Sequence, residues 1–146
     1  MSPPKTYETL RWVGDAGGHL VLIDQTKLPT QLVELECHDA ETVWQAIREL
    51  KVRGAPAIGL AAAYGVCLGL QSVRDGDQAA FLARFQEVTS FLASSRPTAV
   101  NLFWALERMK VVVEGGRHER SAARLHDALL AEARTLHAED RVTCHA

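Results

Sequence analysis

The sequence lacks the features that mark several large functional classes. It has no disulfide framework: its cysteines, Cys37, Cys67 and Cys144, are odd in number and widely spaced, the usage expected of a reducing compartment. It has no excess of basic charge. Lys and Arg total 16 against 18 Asp and Glu, a net charge of −2, which argues against a general nucleic-acid binder. It has no charged-then-apolar signal pattern at Met1 to Lys5. The longest mostly apolar run, Ala55 to Leu70, contains Pro56 and three glycines and reads as too short to span a bilayer. No membrane partner and a cytoplasmic location are the expectations. The six histidines, His19, His38, His118, His126, His137 and His145, form no HxxxH or HExxH pattern, and no CxxC is present. Cys37–His38 and Cys144–His145 are adjacent pairs whose side chains diverge, so no metal is expected. GxGxxG and GxxxxGK[ST] are both missing, so neither kind of nucleotide cradle is indicated. Internal repeats and low-complexity tracts are absent as well.

What is there describes one ordinary domain. The 146 residues are 47% hydrophobic and 23% charged, near the averages for globular chains. A core can form without disulfide or metal staples. The first third alternates strand and turn signals. Tyr7 to Val13 is followed by Gly14-Asp15-Ala16-Gly17-Gly18 and then the apolar run Leu20 to Ile23, which reads as a hairpin. In Leu32 to Cys37, Val33, Leu35 and Cys37 share one face and Glu34 and Glu36 the other, the period of a half-buried strand. Five helices are expected after that. Asp39 is placed to cap the first, which carries Val43, Trp44, Ile47 and Leu50. The second opens near Pro56. Phe81, Phe85, Val88 and Leu92 mark the third. Leu102, Leu106, Met109 and Val113 mark the fourth, with Gly115-Gly116 as its stop. Ala122, Leu125, Leu129 and Leu136 mark the fifth, which runs without a closing Gly, Asn or Pro to Ala146. An uncapped helix at a chain end and a truncated chain both fit that pattern. The fold class is therefore α+β, a small antiparallel three-stranded sheet packed on a helical bundle.

Two segments carry the strongest chemical signal. In Val52-Arg53-Gly54-Ala55-Pro56-Ala57-Ile58-Gly59 an arginine and a glycine precede a helix that opens on proline. Helix N-termini attract anions, and an arginine can grip a phosphate with two parallel hydrogen bonds. In Ser94-Ser95-Arg96-Pro97-Thr98-Ala99-Val100-Asn101 the same order recurs, with Ser95 or Thr98 able to cap the helix or touch a ligand. The bland alternative for both is a tight turn with a solvated arginine. Two such elements in one small domain are more suggestive than either alone, and the expectation is that they converge on one phosphorylated small molecule. Other candidates read as structural. Cys67 lies on an apolar helix and suits the core. Asp75 and Asp77 flank a turn glycine. Trp12, Trp44 and Trp104 fall on apolar faces.

These two motifs, with Ala61-Ala62-Ala63-Tyr64-Gly65, Leu10-Arg11-Trp12 and Leu22 to Pro29, resemble the S-methyl-5-thioribose-1-phosphate isomerases over essentially the whole chain. The wider group includes regulatory subunits of a translation initiation factor and a ribose-1,5-bisphosphate isomerase. The resemblance implies an aldose–ketose isomerisation of methylthioribose 1-phosphate in methionine salvage, with a small phosphorylated sugar as partner and no metal or organic cofactor. It implies substrate contacts at Arg53, Gly54, Ala55 and Arg96. It places the catalytic cysteine and aspartate in a second, Rossmann-like domain beyond a linking helix. On that reading residues 1–117 form the N-terminal domain and 118–146 begin the linking helix, so no catalytic residue is assigned here and the 146 residues alone are expected not to turn over. Cys144 does not match the family's cysteine motif. Members are often dimers, but through a surface that draws on the second domain. Without that domain Leu125, Leu129 and Leu136 are expected to be partly exposed and to promote association. The rival expectations are a sugar-phosphate-binding module without chemistry and a subunit-interaction element of the translation-factor kind.

Overall fold

A computed structural model describes residues 10–52, 54–116 and 121–145, with side chains described through 140. Three strands, β1 (Leu10–Val13), β2 (His19–Ile23) and β3 (Glu34–Cys37), form an antiparallel sheet in the order β1-β2-β3. Five helices follow: α1 (Ala40–Arg48), α2 (Ala55–Gly69), α3 (Gln78–Ala93), α4 (Val100–Gly116) and α5 (Ala122–His145). The α+β expectation therefore holds. The β1 positions expected at Tyr7 to Thr9 and the division at residues 117/118 lie outside the described residues.

The hairpin turn is the expected glycine segment. Gly14 has φ 97°, a conformation that glycine adopts freely. Gly18 donates to the Asp15 carbonyl at 2.9 Å, and a Cβ on Gly18 would lie 2.0 Å from the Val13 carbonyl oxygen. Pairing sets Leu10 opposite Leu22 and Leu20 opposite Cys37. All four side chains are buried in the core with α1 and α2, as alternation along the strands requires. β3 starts at Glu34, two residues later than expected, and Leu32 is left exposed.

Asp39 caps α1 as expected, its Oδ1 accepting from the Thr42 backbone N–H at 2.8 Å. The helix ends before Leu50, which corrects its assignment to the apolar face. Leu50 sits at φ 61° and is 40% exposed. Lys51 and Val52 both donate back to the Ala46 carbonyl, and Val52 takes the buried place instead.

α2 is the centre of the bundle, touching β1, β2 and the other four helices. Its residues are buried all round from Ile58 to Gly69, the pattern of a core helix. Small residues make this possible: a Cβ on Gly69 would lie 2.8 Å from Val88, and one on Gly59 would lie 2.9 Å from the Asn101 carbonyl oxygen. With the 3-10 turn that follows, Ala55–Val73 is long and apolar enough to cross a membrane by length and composition, which corrects the expectation that the run is too short. Here that surface is covered by the other elements of the bundle.

α5 departs from expectation. Leu125 and Leu129 are fully buried and Leu136 is 3% exposed, because α5 packs on both α2 and α4. Burying each leucine contributes about 1.5–3 kcal/mol to packing the helix on the bundle. Polar contacts reinforce the join. Arg108 Nε donates to Glu132 at 2.9 Å and its Nη1 to Glu139 at 2.8 Å. Buried Tyr64 shares a 2.9 Å hydrogen bond with His137 Nδ1 and stacks on Trp12. The tryptophans are not uniformly core. Trp12 and Trp44 are half-buried, whereas Trp104 is 53% exposed with the Arg108 guanidinium 5.2 Å from its ring.

Candidate functional site

Gly54 stands at the N-cap of α2 with φ 91° and ψ 132°, a backbone state reserved largely for glycine. Among the described residues no side chain caps this helix. Gly54, Ala55 and Pro56 are exposed, so the opening turn presents its N–H groups and the positive end of the helix dipole to solvent. The contrast with α1 and α3 is chemical. There Asp39 and Asp77 already supply a carboxylate to the first turn. At α2 no carboxylate among the described residues fills that place. Arg53 lies outside the described residues.

Arg96 lies in the connection between α3 and α4, where Ala99 donates to its carbonyl at 3.0 Å. It is half-buried. Among the described residues its guanidinium meets no carboxylate and no carbonyl. Arg74 and Arg108, comparably buried, are both saturated with acidic partners, and their pKa values are raised above the ordinary arginine value chiefly by hydrogen bonds to Asp127 and Glu139 respectively. Arg96 thus differs from both in having no carboxylate among the described residues to offset its charge. Ser95, offered by the sequence as a cap for α4 or a ligand contact, does neither: it is buried and donates to the Leu92 carbonyl at 2.6 Å, closing α3. Ala99 is the residue that precedes α4, so Thr98 falls one position short of the cap.

The first turns of α2 and α4 come together. Pro56, Gly59 and Leu60 from α2 and Asn101, Trp104 and Ala105 from α4 line a cavity of about 200 Å³, which α5 closes with Leu136, Glu139 and Asp140. The close approach of Gly59 to Asn101 sets this geometry. Sequence periodicity names Leu136 but gives no sign that Trp104, Glu139 and Asp140 share a cavity with Pro56, because that depends on how α5 crosses α2.

Burial pushes the thiols of Cys37 and Cys67 up to about 12, which removes them as nucleophiles near neutral pH. Asp77 caps α3 by accepting from Ala80 N–H at 2.7 Å. The sheet brings together one set of metal-type ligands that spacing did not reveal, His19, Glu36 and His38.

Comparison with known proteins gives these features a family. The profile of the initiation factor 2 subunit family matches residues 51–146, well over half of the chain. A 5-deoxyribose 1-phosphate isomerase of Bacillus thuringiensis is 50% identical over 131 residues, 90% of this chain and 37% of that protein. A methylthioribose-1-phosphate isomerase of Symbiobacterium thermophilum is 45% identical over 137 residues, 94% of this chain and 38% of that protein. Among solved structures, the 5-methylthioribose 1-phosphate isomerase of Pyrococcus horikoshii superposes with TM-score 0.82 at 34% identity, covering 90% of this chain and 36% of that one. The delta subunit of a translation initiation factor from A. fulgidus superposes with TM-score 0.80 at 39% identity, covering 90% and 37%. The chain thus spans a little over a third of the length of these relatives. With its three-stranded sheet, its five-helix bundle and this sequence match, the chain belongs to the initiation factor 2 subunit family.

Proposed function

We propose that this chain is the phosphate-holding part of an aldose–ketose isomerase that acts on a ribose 1-phosphate, converting methylthioribose 1-phosphate to methylthioribulose 1-phosphate in methionine salvage. The observation that carries this reading is Arg96, half-buried and without an acidic partner among the described residues. The open N-terminus of α2 at Gly54 and Ala55 and the names of the relatives support it. In the reaction the bond from C1 to the ring oxygen breaks, hydrogen moves from C2 to C1, and C2 becomes a ketone while phosphate stays on the C1 oxygen. The phosphate blocks spontaneous ring opening to a free aldehyde. An acid and a base in a dry pocket must therefore assist. Arg53 and Arg96 would neutralise the phosphate, and the Gly54 and Ala55 backbone would fix its orientation. None of these groups moves the proton. The catalytic acid and base belong to the length of the relatives that this chain does not span, residues 118–146 leading towards it as a linking helix.

Titration of the chain with methylthioribose 1-phosphate, read by calorimetry, tests this. Saturable binding is expected, and Arg53→Met or Arg96→Met should each weaken it about 10- to 100-fold, the worth of a charge-assisted hydrogen bond. No ketose should form. Equal binding by wild type and both variants would overturn the site, and ketose formation by the chain alone would overturn the placement of the catalytic groups.

A second reading rests on a different observation. Val100, Phe103, Trp104 and Val111 are exposed along α4, Val100 at 78%. Such a stripe fits a subunit-contact surface of the translation-factor kind. A stable complex with other family subunits, indifferent to sugar phosphates, would favour it over the isomerase.

A further inference from the structure

We propose that His19, Glu36 and His38 form a binding site for one divalent transition-metal ion of the zinc class, on the sheet and apart from the phosphate site. The sheet register builds it. Glu36 is paired with Val21, two residues beyond His19 on β2, and His38 follows Cys37, the partner of Leu20. Alternation along the strands therefore puts all three side chains on the face of the sheet opposite Leu20, Leu22 and Cys37. The two imidazoles stack with centroids 4.5 Å apart and planes 27° from parallel. Both turn Nε2 towards the same carboxylate: His38 Nε2 lies 3.2 Å and His19 Nε2 4.0 Å from Glu36 Oε1. All three donor atoms lie within 4.8 Å of one another.

Ligands about 2.0–2.1 Å from a tetrahedral ion are about 3.4 Å apart. The observed spacing needs only small rotations of His38 and Glu36, whose side chains are 63% and 64% exposed and free to make them. His19, 24% exposed, is the fixed point. Two imidazoles and one carboxylate select zinc, cobalt, nickel or copper over magnesium and calcium, which take oxygen ligands. A fourth position is left to solvent. The site sits at the start of β2. The α1–α2 connection reaches the sheet at its far end, where Gln25 donates to the Lys51 carbonyl at 2.9 Å. A strand of this length separates the two by roughly 13 Å. The ion would therefore fasten the end of β3 to the start of β2 beside the hairpin, which Gln71 and Arg134 already tie to the bundle. Its effect would be on stability.

The untagged, chelator-treated chain should be titrated with Zn²⁺ by calorimetry, and with Co²⁺ by visible absorption. One ion per chain in the micromolar range or tighter is expected, with a rise in Tm of at least about 3 °C at saturation. His38→Ala and Glu36→Gln should each weaken binding at least about tenfold, and the double variant His19→Ala/His38→Ala should abolish both the binding and the Tm shift. Absence of saturable binding up to about 1 mM would overturn the proposal. So would zinc binding that survives unchanged in the double variant, which would place the ion elsewhere. If His19→Ala fails to fold, exposed His38→Ala carries the test alone.

Discussion

At the scale of single residues, His126 shows how a buried polar group is made safe. It has no exposed surface. Its Nε2 lies 2.8 Å from the Cys67 carbonyl, which can only accept, so that nitrogen carries the proton. Nδ1 then accepts from Arg74, 3.1 Å away, and Arg74 is itself held by Asp127. Burial, with the nearby Arg74 charge, holds the imidazole below its ordinary pKa. A folded-state pKa below the unfolded value means that the unfolded chain takes up the proton first. Stability is therefore full above about pH 6.5 and declines as pH falls below it. Urea unfolding at pH 7.5 and 5.5 should show that loss, and His126→Gln, whose amide can still donate to Cys67, should lessen it. Single residues also set the limit of what sequence shows. The place of Gly54 before α2 is legible because a glycine ahead of a helix-opening proline marks a helix start locally. Trp104 is not legible: periodicity places it on an apolar face, but that face overhangs a cavity and the ring is half in solvent.

At the scale of elements, α2 decides the packing through residues with little or no side chain. Ala at Gly59 would put a Cβ 2.9 Å from the Asn101 carbonyl oxygen, and backbone cannot swing aside as a side chain can. Gly59→Ala should cost about 1–3 kcal/mol through overpacking, which exceeds the ~1 kcal/mol that alanine gains in helix propensity. Gly115 in α4 has nothing near its virtual Cβ. Gly115→Ala should accordingly raise stability, by up to ~1 kcal/mol. Opposite signs for the two in chemical denaturation would confirm that α2 and α4 touch through Gly59. Element identities were readable because caps and periods are local: Asp39 lies next to α1, and Phe81, Phe85, Val88 and Leu92 repeat on one face of α3 and are all buried. The end of α1 was not readable, since the left-handed turn at Leu50 is imposed by the return of Lys51 and Val52 to Ala46. Nor was the meeting of His19 with His38, which follows from strand register across a long connection.

At the scale of the whole molecule, α5 is part of the bundle. The sequence suggests an orphan helix because its apolar stripe needs a partner and the resemblance supplies one in another domain. The structure supplies α2 and α4 instead. Leu129→Ala should thus cost about 2–5 kcal/mol and shift one cooperative transition, with calorimetric and van't Hoff enthalpies in agreement. A variant that melts α5 separately, leaving the rest unchanged, would contradict a single core. This single core is also what brings the first turns of α2 and α4 to one cavity and holds the Arg96 connection beside α4. On the proposed reading the phosphate contacts all lie within this chain, so it should bind without help. The decisive measurement is an amide ¹H–¹⁵N correlation spectrum of the labelled chain during titration with methylthioribose 1-phosphate. Saturable shifts concentrated at Gly54, Ala55, Ala57 and Arg96 are expected. Shifts that avoid those amides, or none at all, would contradict a phosphate site between the start of α2 and the α3–α4 connection.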